Sequence, residues 1–168
     1  MLPDVSIELI QRTLSGVYRN DRITTVGSWA FGHSKVDSLS FPNAKTIGEA
    51  AFCNSAVSVL DIPSAEYVGA RAFDSTKIKK LDLKSVTQIN PFRTFAINSL
   101  EALILRHTSV VLAAGSNMGI PKTCYIYVPK VLADGTDGVN AYKSASNWAL
   151  YPDQFRAIED YPEICGGE

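Results

Sequence analysis

His33 and Cys53 are the pair in this chain best suited to covalent chemistry, because an imidazole can take the proton of a thiol and leave a thiolate nucleophile. Ser34 stands beside His33 as a second hydroxyl candidate. Such a site needs a third group to orient the base, and no residue at a matching position supplies one. Cys53 occupies a column of the repeat shared with Gly32, Asp74 and Ala96. The pair therefore reads as exposed turn residues at variable positions, and no catalytic residue is assigned. Asp134 and Asp137, in the stretch ADGTDG, resemble the start of a calcium loop. A third acidic ligand is missing, and Ala145 stands where the closing glutamate would fall. His107 has no metal partner at a useful spacing. Neither a metal nor a cofactor is implied.

The elements that position these residues are set by a repeat. Residues 23–43, 44–64 and 65–85 are three copies of a 21-residue pattern, and residues 86–107 are a looser fourth. A fixed period of this length marks a solenoid whose units stack on their neighbours. Val26, Ile47, Val68 and Ile89 align, followed by Gly27, Gly48, Gly69 and then Asn90. Phe31, Phe52 and Phe73 align with Phe95, which comes one residue late and predicts a bulge between Pro91 and Phe95. Leu39, Leu60, Leu81 and Leu103 form another apolar column, and Phe41, Ile62, Leu83 and Leu105 the next. These alternate as half-buried strands do, and Pro42 and Pro63 end two of them. The glycine column predicts a corner with positive φ, which Gly and Asn tolerate best. Ser34, Ser55, Thr76 and Asn98 form a small polar column suited to bonding backbone at a tight turn.

Three segments of one structural domain follow: an N-terminal cap at 1–22, the repeats at 23–107, and a half-repeat with a C-terminal cap at 108–168. Val5, Leu9, Ile10, Leu14 and Val17 predict a short amphipathic helix leading into an extended segment. Thr108 to Ala114 predicts a last strand, Cys124 to Val128 a strong strand, 133–138 a loop and 139–148 a helix. Trp148, Tyr151 and Phe155 are expected to cover the open end of the apolar column. The fold class is an α/β-type repeat solenoid of mainly short parallel strands and turns, right-handed, with a helical C-terminal cap.

Composition narrows the function. The 168 residues carry 16 Lys and Arg against 17 Asp and Glu, which argues against nucleic acid as a partner. No apolar run approaches the ~20 residues needed to span a bilayer, so membrane insertion is not expected. Residues 1–22 carry charges throughout and do not read as a secretory signal. The chain is then expected to be a trimmed fragment, or to leave its cell another way, as in a virion. Three cysteines give no disulfide framework. Cys124 reads as a buried thiol and Cys165 as an exposed one in a glycine-rich tail.

Recognition is the better-motivated chemistry. In the strand of each repeat the outward positions are Ser38 and Ser40, Val59 and Asp61, Lys80 and Asp82, then Ala102 and Ile104. In register they make one face of a parallel sheet, the usual reading surface of a repeat array. Val59, Ala102 and Ile104 are apolar where solvent favours polar residues, and Ile104 has an alternative place under the C-terminal cap. A second outward row holds Thr25, Thr46, Tyr67 and Gln88. Tyr67, its single aromatic, can stack on a sugar ring or a partner side chain.

The string Ile-Gly-x-x-Ala-Phe at 47–52, with Val-Gly-x-x-Ala-Phe at 26–31 and 68–73, resembles the BspA-like leucine-rich repeats. So do Leu-x-Phe-Pro at 39–42 and Leu-x-Ile-Pro at 60–63, the entry Asn20 to Gly27, and the closing Ile126-Tyr-Val-Pro129, Ala141-Tyr-Lys and Asn147-Trp148. The likeness runs from residue 20 to about 160. A cysteine often follows the phenylalanine in such repeats, where this chain has Ser, Ser, Thr and Asn. The resemblance implies a non-catalytic binding or adhesion role toward a protein or glycan on a host or bacterial surface, extracellular or cell-surface. The alternative is a phage or prophage structural or host-recognition module, and an enzyme ranks third.

Overall fold

The computed structural model describes residues 17–113 and 117–166. It is a parallel-strand β-solenoid of about five turns with few helices. The helix expected from Val5, Leu9, Ile10 and Leu14 lies outside the described residues. Each turn has one strand of two residues and one of two to four. The first set, β2 (Thr25–Val26), β4 (Thr46–Ile47), β6 (Tyr67–Val68), β8 (Gln88–Ile89) and β10 (Leu112–Ala113), forms a five-stranded parallel sheet. Its register runs Thr25, Thr46, Tyr67, Gln88, Leu112 across neighbouring strands. The longer strands form two sheets. One is β1 (Tyr18–Arg19), β3 (Ser38–Ser40) and β5 (Val59–Asp61); the other is β7 (Lys80–Leu83), β9 (Ala102–Leu105), β11 (Tyr125–Val128) and β12 (Phe155–Ala157). Among the described residues no ladder joins β5 to β7, so this row is split.

A third set of bonds ties the corners together. Trp29, Phe31 and His33 donate their backbone N–H groups to Glu49, Ala51 and Cys53 of the next coil, at 3.0, 2.7 and 2.9 Å. Ala50, Phe52 and Asn54 do the same to Ala70, Ala72 and Asp74, at 2.8, 2.9 and 2.9 Å. The corner thereby satisfies backbone groups that a loop would leave to water. Inside it the phenylalanines stack: Phe31 on Phe52 at 5.6 Å, Phe52 on Phe73 at 5.9 Å and Phe73 on Phe95 at 6.0 Å between ring centroids. The late Phe95 keeps its place because the extra residue is absorbed between Asn90 and Thr94, where the buried Thr94 hydroxyl donates to the Asn90 carbonyl.

Two expectations about the corners are corrected. Positive φ falls not on the glycine column but on Trp29, Ala50, Arg71 and Arg93, at 52–60°, and on His33, Asn54 and Ser75, at 55–59°. The glycines serve a different need: a Cβ on Gly48 would lie 2.6 Å from the Ser28 nitrogen, and one on Gly69 2.7 Å from the Glu49 nitrogen. In the polar column the turn bonds come from backbone N–H groups, Ser34 to Phe31 and Ser55 to Phe52. Of the hydroxyls, that of Thr76 donates to the Phe73 carbonyl at 3.0 Å, while those of Ser34 and Ser55 are buried without a hydrogen bond. A buried hydroxyl without a partner is destabilising. Ser55→Ala is therefore expected to hold or raise stability, by up to about 1 kcal/mol, in urea unfolding; a loss above that size would mean that the hydroxyl is bonded.

The C-terminal segment finishes the core. Helix α1 (Gly138–Ser144) starts at Asp137, whose carboxylate accepts the Asn140 N–H at 2.8 Å. It delivers Tyr142, which packs with Trp148 and Phe155 at centroid distances of 5.4 and 5.6 Å. The last turn would otherwise present Val111 as an unpaired edge. Tyr142 accepts the Val111 N–H at 3.0 Å, and the Trp148 indole donates to the Val111 carbonyl at 2.8 Å. Burial pushes the Tyr142 pKa up to about 12, against the opposing pull of the Val111 N–H. Tyr151 and Phe155 are buried as well.

Candidate functional site

The outward strand positions do not form one open face. On the β1-β3-β5 sheet Val17 and Val59 are 63% and 54% exposed, with Ser38 between them half-buried. The next row is a polar chain: the Arg19 guanidinium donates to the Ser40 hydroxyl at 3.5 Å, which donates to Asp61 at 2.8 Å. Ser40 is thereby buried, whereas Asp61 stays exposed. Val17 and Arg19 belong to this face and lie ahead of the first clear repeat.

On the other sheet the expected reading face is occupied. Ala102 and Ile104 are buried, packed with Tyr127 and Cys165 and against Ile158, Tyr161 and Ile164. The covering piece is residues 158–165, which end in helix α2 (Pro162–Cys165). Two cations grip the end of that helix: Lys80 donates to the Ile164 carbonyl and Arg106 to that of Cys165. Positive charge at a helix C-terminus meets the unpaired carbonyls there. Arg106 also holds Asp82 with two nitrogens, at 2.9 to 3.0 Å, so Asp82 is half-buried. Ala102 and Ile104 are thus withdrawn from the candidate face, because the tail removes them from solvent. Cys165, read as exposed, is buried in the same contact, and burial pushes its thiol up.

The nucleophile candidates separate. The His33 ring stacks on Trp29, at 5.9 Å and 9°, and among the described residues no hydrogen bond joins it to the Cys53 thiol. Cys53 is buried, not exposed. Its thiol is pushed up by burial, against the opposing pull of Arg71, so it stays protonated at neutral pH. In its column Asp74 is buried too, whereas Gly32 and Ala96 are half-buried. Asp74, 1% exposed, takes Arg93 through two nitrogens at 2.9 and 3.2 Å, Arg71 at 3.2 Å and the Ser75 hydroxyl at 2.9 Å. The two arginines stand on adjacent left-handed corners, so the backbone path itself aims both at one carboxylate. Burial raises the Asp74 carboxyl, but the bonds from Arg93, Ser75 and Arg71 outweigh it and hold the group below its ordinary value.

A group with a depressed folded pKa contributes stability above its unfolded value, here 3.8, and loses it as pH falls through the folded one. Asp74→Asn is therefore expected to lower stability by about 1–2 kcal/mol near neutral pH. Its deficit should shrink as the pH drops below about 4. Urea unfolding at several pH values reads this; a deficit independent of pH would assign Asp74 a purely steric role.

The carboxylates of the acidic loop bond to their own turn and to the start of the following helix. Asp134 accepts the Thr136 N–H and hydroxyl at 3.0 and 2.7 Å, and Asp137 caps α1. Among the described residues no cluster of three or more His, Cys, Asp or Glu is placed to hold a metal. His107 faces the Ser109 backbone. Cys124 is buried and its thiol is pushed up to about 12 by burial. Tyr67 lies half-buried in the centre of the five-stranded sheet, between Thr46 and Gln88.

No curated protein matches the chain. The family model for the BspA type leucine-rich repeat region matches residues 12–114 in six copies, reaching beyond the 23–107 block at both ends. Leucine-rich repeats of this kind are repeat-based protein-binding modules and are generally non-catalytic. With the period, the phenylalanine stack and the parallel ladders in agreement with that match, the chain belongs to the BspA-type leucine-rich repeat family.

Proposed function

We propose that this chain is a non-catalytic adhesion module that binds a protein on a host or bacterial surface, and that it works outside the cell. The strand side of the solenoid is the reading surface, and its open half, β1-β3-β5, is the part available to a partner. One observation carries this: the strand positions that hold the chain's own tail on one half have no such cover on the other among the described residues, where Val17 and Val59 are more than half exposed. Val17 and Val59 offer a partner apolar area to bury, beside the exposed Asp61 carboxylate, which the Ser40 hydroxyl bonds, as a polar rim. Lys80 and Asp82 then serve the tail and the edge of this surface rather than its centre. In this reading the coils wind right-handed, as parallel crossover connections do, and residues 108–168 form one helix-bearing cap beside the 1–22 and 23–107 segments.

The test is a screen of the intact chain against mucins, matrix proteins, arrayed glycans and whole bacterial cells. A protein hit is expected to weaken about tenfold on Val59→Ser, with thermal unfolding unchanged, since exposed substitutions rarely move stability by more than about 0.5 kcal/mol. A hit indifferent to Val17, Val59 and Asp61 together would place recognition elsewhere.

A further inference from the structure

We propose a second binding site, on another sheet, for a single neutral pyranose of the N-acetylhexosamine class. It is the groove between the five-stranded sheet and the C-terminal segment, with a volume of about 390 Å³, bounded by Tyr67, Gln88, Asn90, Val110, Leu112 and Ser146. That is the lower end of the range for small-ligand pockets.

The register sets its dimensions. Tyr67, Gln88 and Leu112 are direct partners on β6, β8 and β10. Neighbouring strands lie about 4.8 Å apart. Tyr67 and Leu112 therefore stand about 10 Å apart with the Gln88 amide between them. A sugar ring laid over Gln88 meets the tyrosine face on one side and the Leu112 side chain, 68% exposed, on the other.

The polar groups are uncommitted. Among the described residues the Tyr67 hydroxyl, the Gln88 amide and the Ser146 hydroxyl make no hydrogen bond, and Asn90 uses only its oxygen, to accept the Phe92 N–H at 3.3 Å. These are donors and acceptors suited to hydroxyls and an acetamido group. Among the described residues no Asp, Glu, Lys, Arg or His lines the groove, in a chain with 20% charged residues. That composition disfavours phosphates, carboxylates and metal ions and suits an uncharged ligand. The apolar C–H face of a pyranose packs on an aromatic ring, and Val110 and Leu112 give the acetyl methyl an apolar wall.

The site does not rest on the strand-face reading, and the experiment separates the two. N-acetylglucosamine, and glucose as its comparison, are titrated into the intact isotope-labelled chain and followed by backbone amide shifts. Saturable shifts centred on Gln88 and Leu112 are expected with N-acetylglucosamine, at a dissociation constant on the order of 1 mM. Tyr67→Ala is expected to weaken binding at least tenfold, Tyr67→Phe to retain most of it, and Asp61→Ala to leave it unchanged. Thermal unfolding of each variant verifies its fold. Three outcomes overturn the site: no saturable shift at these positions, shifts that survive Tyr67→Ala, or an equal response to glucose.

Discussion

Replacing Phe52 with alanine is expected to lower stability by about 3–5 kcal/mol, the range for large-to-small changes at fully buried aromatic positions. Phe52 is 0% exposed and lies between two parallel rings, Phe31 at 13° and Phe73 at 8°. The variant loses the transfer energy of one ring and the ring–ring contribution on both sides, about 0.5–1.5 kcal/mol each. The cavity cannot collapse easily, because the coils on either side are held at fixed spacing by the Phe31 to Ala51 and Phe52 to Ala72 backbone bonds. In a solenoid each unit is stabilised chiefly by its neighbours. The loss therefore falls on two interfaces, and separate unfolding of the two halves of the stack is the expected way for cooperativity to fail. Phe31→Ala is the internal comparison: its ring has a stacked neighbour on one side and retains some exposure, at 6%, so its effect should be smaller. Urea unfolding by circular dichroism checks both. A change below about 1 kcal/mol at Phe52 would contradict a continuous ring stack.

What is legible in the linear chain is what the repeat writes several times. Phe31, Phe52, Phe73 and Phe95 recur at the spacing of the coils, and the structure stacks them in that order. The strand columns fare as well, because alternation and spacing together determine which side chains point inward. Ser40 sits in an outward column yet is buried between Arg19 and Asp61, each one period away. Ala102 and Ile104, by contrast, are buried because the tail that covers them follows no period. Lys80 meets Ile164 at a separation of 84 residues, and Arg106 meets Cys165 at 59. Cys53 and Asp74 mislead for another reason. A column of Gly, Cys, Asp and Ala reads as tolerant turn positions, but the Asp is buried because Arg71 and Arg93 close over it. Of the candidate face, Val59, Asp61 and Lys80 stay exposed, and the groove beside Tyr67 has its opposite wall from Ala145, Ser146 and Trp148 of the C-terminal segment.

Alanine at Gly48 is expected to destabilise the protein by about 2–3 kcal/mol, the upper part of the range for overpacking. None of Gly27, Gly48 and Gly69 has a positive φ, so these glycines are not required by dihedral freedom. They are required by proximity. A Cβ at Gly48 would sit 2.6 Å from the Ser28 nitrogen and 2.8 Å from the Gly27 carbonyl carbon, both backbone atoms that cannot swing away. Gly69 repeats the situation one coil on, with 2.7 Å to the Glu49 nitrogen and to the Gly48 carbonyl carbon. To admit the methyl group the coils must separate at that corner, which strains the bond from the Gly48 N–H to the Val26 carbonyl, now 2.8 Å. Gly27 heads the same column, but among the described residues nothing lies within 4 Å of the added carbon. Gly27→Ala is therefore expected to be neutral, or stabilising by about 0.4–1 kcal/mol through the unfolded state. Ala50 gives the converse case, with φ at 52° and full burial. Glycine there relieves about 1 kcal/mol of left-handed strain and loses about 0.8 kcal/mol of methyl burial, so Ala50→Gly should be close to neutral. Equal losses at Gly27, Gly48 and Gly69 would mean that the column serves backbone conformation after all. A large loss confined to Gly48 and Gly69 locates the requirement where one coil rests directly on the backbone of the last.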